Sequence, residues 1–221
     1  MTPKNNINLL LQDSSYCHTF QPIDFETSKE TEKRLDKLLG HLDNQYKEYL
    51  NASKLTSKSF ETLLVEMKNV AGYIKTSLMS NKIAPAQVFY EIDADRSVGI
   101  LNILWHTISF TTRGNIKPQA LERTDKPPLY SGRIIALNGD FQDLDQQVQE
   151  NDFTDMLKAE VASLYIPHNK NIKAVMKIKH LPDEEFYLDY KDAPLNFLLK
   201  VVEVVCGGGL YHEEDPDIEY E

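Results

Sequence analysis

Between residues 25 and 51 the large apolar side chains fall three and four apart: Leu35, Leu38, Leu39, Leu42, Tyr46 and Leu50. That spacing gathers them on one stripe of an α-helix, with charged residues on the rest of the surface. Thr27 followed by Glu30 fits a capping box at its start. The pattern returns more strongly over 58–80, in Phe60, Leu63, Leu64, Met67, Val70, Ala71, Ile74 and Leu78. The segment between them, "NASKLTS", is short and polar. Two helices so linked are expected to pack antiparallel, as a helical hairpin over 24–83. Gly40 and Gly72 weigh against a long, free-standing coiled coil.

After "NKIAPAQ" the period changes, and Pro85 stops the helix. "VFYEID" (88–93), "SGRIIAL" (131–137), "AVMKIKHL" (174–181) and "EFYLDY" (185–190) are rich in β-branched and aromatic residues and read as strands. The last two are joined by "PDE", which predicts an antiparallel hairpin. Within the third, Met176 and Ile178 alternate with Lys177 and Lys179, so one face is apolar and the other basic. Two further helices are expected. One covers 152–165, with Phe153, Met156, Leu157, Val161, Leu164 and Tyr165 on one side and Pro167 beyond its end. The other covers 192–209, with Asp192 as N-cap, Pro194 in the first turn and a glycine run as the stop.

The resulting fold class is α+β: an N-terminal antiparallel helical hairpin packed with a mainly antiparallel sheet and two further helices. Residues 1–23 are expected to form a flexible arm, 86–209 an α+β domain, and 210–221 a disordered tail, six of whose last ten residues are acidic.

The stretch 98–112 is ambiguous. "SVGILNILWH" fits either a helix capped by Ser97 or part of one long strand folded back on 88–93. From Leu104 onward the alternation favours a strand over 105–111. Leu104, His106, Ile108 and Phe110 would point one way, and Trp105, Thr107, Ser109 and Thr111 the other.

Charge narrows the partners. The 221 residues hold 34 acidic and 24 basic side chains, a net charge of −10. That balance disfavours both a broad nucleic-acid footprint and attraction to an anionic membrane. Cys17 and Cys206 are far apart and form no CxxC pair, as expected of free thiols in a reducing compartment. The N-terminal apolar run is three leucines, too short for a signal peptide, and no apolar stretch approaches the length of a membrane span. A soluble, cytoplasmic protein is expected. Its acidic tail, with Ile218 near the end, is similar in composition to the C-terminal signals of type IV secretion substrates, which implies a bacterial secreted effector as one specialised form.

Candidate chemistry concentrates in 93–133. "DADRS" (93–97) places two aspartates two apart directly after a strand, where their oxygens can share a Mg²⁺ or Mn²⁺ with a phosphate. The motif resembles the DxD of nucleotide-sugar glycosyltransferases. It is also similar to the DxDx(S/T) of haloacid-dehalogenase-type phosphatases, a resemblance that implies Asp93 as nucleophile and Asp95 as acid/base. Each resemblance covers five residues. The alternative is a polar turn in which Asp and Ser bond the backbone. His106 is a candidate general base or else a core histidine with one fixed hydrogen bond. Trp105, Thr112, Arg113, Asn115, Lys117 and Arg133 are candidate ligand-binding residues. They form the locally cationic, hydroxyl-rich part of an acidic chain, and Arg forks suit phosphate and carboxylate. The alternative for the arginines is pairing with the protein's own acids. No GxSxG, HExxH, P-loop or GxGxxG occurs. The function expected is therefore an interaction or regulatory protein that binds a protein partner or an anionic small molecule, with no resident cofactor. The alternative is a metal-dependent enzyme acting on phosphate-bearing or nucleotide-sugar substrates through Asp93, Asp95 and His106.

Overall fold

The computed structural model describes residues 29–81, 87–112, 131–142, 144 and 158–207. The arm at 1–23 and the tail at 210–221 lie outside them. Helix α1 runs over Lys29–Ser80, followed by strands β1 (Val88–Ile92), β2 (Val98–Ile103), β3 (His106–Thr111), β4 (Ser131–Asn138), β5 (Glu160–Pro167), β6 (Ala174–Ile178) and β7 (Leu181–Leu188). Helix α2 (Ala193–Cys206) closes the described chain. The seven strands form one sheet in chain order, each antiparallel to the next. The mixed class with an antiparallel sheet is therefore as expected from the sequence. By its contacts the chain divides into two units, Met1–His41 and Leu42–Glu221.

The expected helical hairpin is instead one helix of 52 residues. "NASKLTS" contains neither Gly nor Pro, and two of its hydroxyls are satisfied inside the helix. Thr56 Oγ1 donates to the Ala52 carbonyl at 2.7 Å and Ser57 Oγ to that of Ser53 at 3.2 Å. A polar connector that bonds its own i−4 carbonyls gives the helix no reason to stop. Tertiary contact adds to this, because Ala52 and Thr56 are buried.

In the second unit one sheet face carries the main core. Leu101, Ile103, Ile108, Phe110, Ile134, Ala136, Leu164, Ile166, Met176 and Ile178 pack there with Phe60, Leu63, Leu64 and Met67 of α1 and Phe197, Leu198 and Val201 of α2. The approach is close. A Cβ on Gly132 would stand 1.9 Å from Thr56 Oγ1 and 2.7 Å from Thr56 Cβ, so β4 lies directly beneath α1 at that point. Phe197 meets Phe110 edge-on at 6.1 Å. On the opposite face a smaller cluster joins Val98, Ile100, Leu137 and Phe141.

Three other expectations change. The helix predicted for 152–165 is contradicted from Glu160 on, which is β5; 158–159 are helical, and 152–157 lie outside the described residues. "VASLYI" is buried on both faces of the sheet, and a short run that is apolar on both sides carries no period to separate strand from helix. Neither reading of 98–112 holds as a whole. Two strands pair through a two-residue turn at Leu104 and Trp105, with Leu104 at φ 56°. Trp105 therefore occupies a turn and not the hydroxyl-bearing strand face. The β6–β7 hairpin is present, but it turns at Lys179–His180 and not at "PDE". Helix α2 matches its expected span to within three residues at the C-terminus, where Gly207 N–H donates to the Glu203 carbonyl at 2.8 Å.

Candidate functional site

The turn between β1 and β2 holds "DADRS". Asp93 Oδ1 accepts the Val98 N–H at 2.8 Å, Asp93 Oδ2 accepts from the Ser97 hydroxyl at 3.2 Å, and Asp95 Oδ1 accepts the Ser97 N–H at 3.0 Å. Arg96 takes a positive φ of 56° between them, with its N–H on the Asp93 carbonyl at 3.0 Å. Both carboxylates thus fasten the hairpin. Among the described residues no three His, Cys, Asp or Glu side chains gather as a metal-ligand set. A hollow of about 220 Å³ adjoins the turn, lined by Glu91, Ile92, Asp93, Val98, Ile100, Phe141 and Gln142. Among its described lining residues the charged groups, Glu91 and Asp93, are acidic.

Replacing Asp93 by alanine is expected to cost about 1–2 kcal/mol, because Val98 N–H and the Ser97 hydroxyl lose their acceptor. Urea titrations of wild type and Asp93→Ala, each with and without Mg²⁺, check this. The loss should be the same in both conditions. A loss that appears only with Mg²⁺ would show the carboxylate serving the cation and not the turn.

His106 and Asp93 are not brought together. His106 opens β3 opposite Ile103, whereas Asp93 lies beside Val98 at the other end of β2. Five residues of strand separate those rungs, about 16 Å. His106 faces the helices' side as expected, half-buried, with the Trp105 ring 5.5 Å away. Trp105 is 79 % exposed. Thr112 lies at the opposite end of β3 from Trp105, its N–H donating to the Ser97 carbonyl at 3.2 Å. Arg113, Asn115 and Lys117 lie outside the described residues.

The hydroxyls of β3 serve the fold itself. Thr107 Oγ1 donates to Asn102 Oδ1 at 2.8 Å, Ser109 Oγ to the Gly139 carbonyl at 2.6 Å, and Thr111 Oγ1 to the Ser97 carbonyl at 3.1 Å. Arg133 follows its alternative reading. Its guanidinium is paired with Glu160, and its Nε donates to Ser163 Oγ at 2.8 Å. Ser163 Oγ in turn bonds Glu160 at 2.7 Å, and the guanidinium stacks over Tyr165 at 5.8 Å. Arg133 and Glu160 are 20 % and 15 % exposed, so the cation is neutralised within the sheet. Cys206 is a free thiol, and burial raises its pKa, which keeps it protonated and unreactive at neutral pH.

Two features stand out from this background. The first is the apolar stripe of α1. In the first unit Leu35, Leu38 and Leu39 are 45, 51 and 60 % exposed. In the second, Leu42, Tyr46 and Leu50 are 48, 44 and 46 % exposed, and buried positions of α1 begin only at Ala52. The periodicity of these residues was legible in the sequence, but their exposure was not. The second feature is a hollow of about 260 Å³ lined by Lys58, Ser59, Thr62, Lys170, Tyr190, Lys191 and Pro194. Sequence reasoning missed it, because its cations come from three separate segments, with Lys58 more than a hundred residues before Lys170 and Lys191, and none of them forms a local run.

Compared with known proteins, the chain matches no family model, no curated protein and no solved structure.

Proposed function

We propose that the chain is a non-catalytic interaction protein that docks through the apolar stripe of α1, and that the occupant of the stripe is the same helix of a second copy. The observation that carries this reading is the half-exposure of large apolar side chains at helical spacing, in Leu42, Tyr46 and Leu50 of the second unit and, separately, in Leu35, Leu38 and Leu39 of the first. A helical segment in water gains most of its stability from packing an apolar face, so an uncovered stripe of this kind calls for a partner.

Charge favours a second copy as that partner. The protein carries −10 overall. Within residues 29–51, however, five basic residues (Lys29, Lys33, Arg34, Lys37, Lys47) balance five acidic ones (Glu30, Glu32, Asp36, Asp43, Glu48). This segment of an acidic molecule therefore meets its own copy without net repulsion. The pairs Arg34–Glu30 at 2.7 Å and Lys47–Asp43 at 2.5 Å satisfy charges within the helix. A stripe on one helix is also complementary to itself across a two-fold axis, which is the commonest symmetry of soluble oligomers. The free, protonated Cys206 suits a reducing compartment such as the cytoplasm.

Sedimentation equilibrium of the full chain tests the reading. The wild type should show twice the 25.4 kDa chain mass. Leu39→Glu/Tyr46→Glu should weaken association by more than about a hundredfold, since each buried Leu or Tyr contributes about 1.5–3 kcal/mol. Its sheet core should keep a cooperative thermal transition, because both positions are away from that core. A wild type that stays monomeric at high micromolar concentration would overturn the proposal.

A further inference from the structure

We infer that the lysine-lined hollow between α1, the β5–β6 connection and the start of α2 is a binding site for a phosphate-bearing small molecule. The site lies within the second unit and does not depend on how α1 associates. It is built from residues that the chain separates widely. Lys58, Ser59 and Thr62 come from one turn of α1, Lys170 from the segment after β5, and Tyr190, Lys191 and Pro194 from the entry to α2.

Three observations converge on an anion. First, among the described residues the lining contains three ammonium groups and no carboxylate, although acidic residues outnumber basic ones in the protein as a whole. Like charges gathered around one concavity raise the local positive potential, and a low-dielectric wall strengthens it. Second, Ser59 is 2 % exposed, and its buried hydroxyl has no hydrogen-bond partner among the described residues. Buried hydroxyls are nearly always satisfied, so one left open at the edge of a hollow marks a place for an external acceptor. Third, the scaffold around it is fixed. Tyr190 is tied to α1 by its hydroxyl, which donates to the Leu55 carbonyl at 3.3 Å. Lys170 Nζ stands 5.7 Å from the Tyr190 ring centroid, which holds that ammonium at the rim. Thr62 Oγ1 is already used on the Lys58 carbonyl at 3.1 Å, so Ser59 is the hydroxyl left to contribute.

The chemistry of the lining indicates the class of ligand. Lysines are compact point charges suited to the spread charge of a phosphate dianion. Tyr190 and Pro194 supply an apolar wall for a small organic body attached to it. Inorganic phosphate and a phosphate ester share the anionic group and differ only at that wall.

Isothermal calorimetry on the full chain, at constant ionic strength, tests the site with inorganic phosphate, pyrophosphate and phenyl phosphate as separate probes. Saturable binding of at least one probe at one site per chain is expected, and Lys58→Gln/Lys191→Gln should weaken it tenfold or more. Both lysines are solvent-facing helix or turn residues, so the fold should persist, and circular dichroism confirms that it does. Ser59→Ala should weaken the same probe severalfold while leaving the thermal midpoint without ligand unchanged or raised, because an unsatisfied hydroxyl is removed. Tighter binding of phenyl phosphate than of inorganic phosphate would assign the ligand as an ester, and equal binding would assign the free anion. Absence of saturable binding by all three probes would overturn the inference, as would equal affinity in wild type and Lys58→Gln/Lys191→Gln.

Discussion

Phe197→Ala is expected to lower the stability of the protein by about 4 kcal/mol, within the range that removal of a buried aromatic ring usually costs. Phe197 is fully buried on the inner face of α2 and meets Phe110 of β3 edge-on at 6.1 Å and 73°. The ring therefore joins the C-terminal helix to the middle of the sheet. Its removal leaves a void that Phe110, itself 0 % exposed and fixed in β3, has little freedom to fill. A urea titration followed by circular dichroism measures the change in midpoint. Leu199→Ala, 40 % exposed on the same helix, should cost under about 1 kcal/mol. Equal effects at the two positions would show that α2 is not packed by the face described here.

The second large effect is expected at Gly132. A methyl group there would overlap Thr56 Oγ1 at 1.9 Å and Thr56 Cβ at 2.7 Å. The second contact is the more telling, because a Cβ moves only with the helix backbone. Gly132→Ala should therefore cost about 3 kcal/mol by pushing α1 off β4. Thr56→Gly removes the obstructing side chain, at about 1 kcal/mol for a glycine in a helix interior. The double variant should then be more stable than the sum of the single losses predicts, by about 1–2 kcal/mol. Strict additivity would contradict the close approach of helix and sheet.

Both predictions depend on packing that the sequence announced only in part. Strands β1, β4 and β6 were legible because β-branched and aromatic residues cluster there between polar turns. Helix α2 was legible because Asp192, Pro194 and Gly207 punctuate it. The continuity of α1 was not. "NASKLTS" looks like a linker, and only Thr56 and Ser57 bonding back to Ala52 and Ser53 show that it stays helical. The β2–β3 turn was hidden for a related reason. It uses Leu104 at φ 56°, where a glycine or asparagine would have signalled it, and it places Trp105 outside the alternation that seemed to run through it. Strand β5 was concealed by burial on both faces.

The candidate chemistry fared differently from the fold. "DADRS" was legible as a polar turn, and the bonds from Asp93 and Asp95 to Val98 and Ser97 make it one. Arg133 looked like part of an anion site because its partner, Glu160, lies on the neighbouring strand 27 residues later, and sequence gives no register between strands. The same blindness to long-range register concealed the hollow at Lys58, Lys170 and Lys191. An α-helical stripe shows its period in the sequence. Whether it is covered by the protein's own sheet, as at Leu63 and Met67, or left open, as at Leu42 and Tyr46, is decided by tertiary structure.

The central claim is that the open stripe of α1 meets its own copy, and a distance between copies tests it most directly. In a chain with Cys17→Ser and Cys206→Ser, a nitroxide attached through Asn44→Cys sits on an exposed position near the middle of the stripe's length. Pulsed dipolar spectroscopy should give a single label-to-label distance of about 20–30 Å, the span across two packed helices. The signal should fall when unlabelled chain is mixed in. A sample at high micromolar concentration with no dipolar modulation would contradict the account.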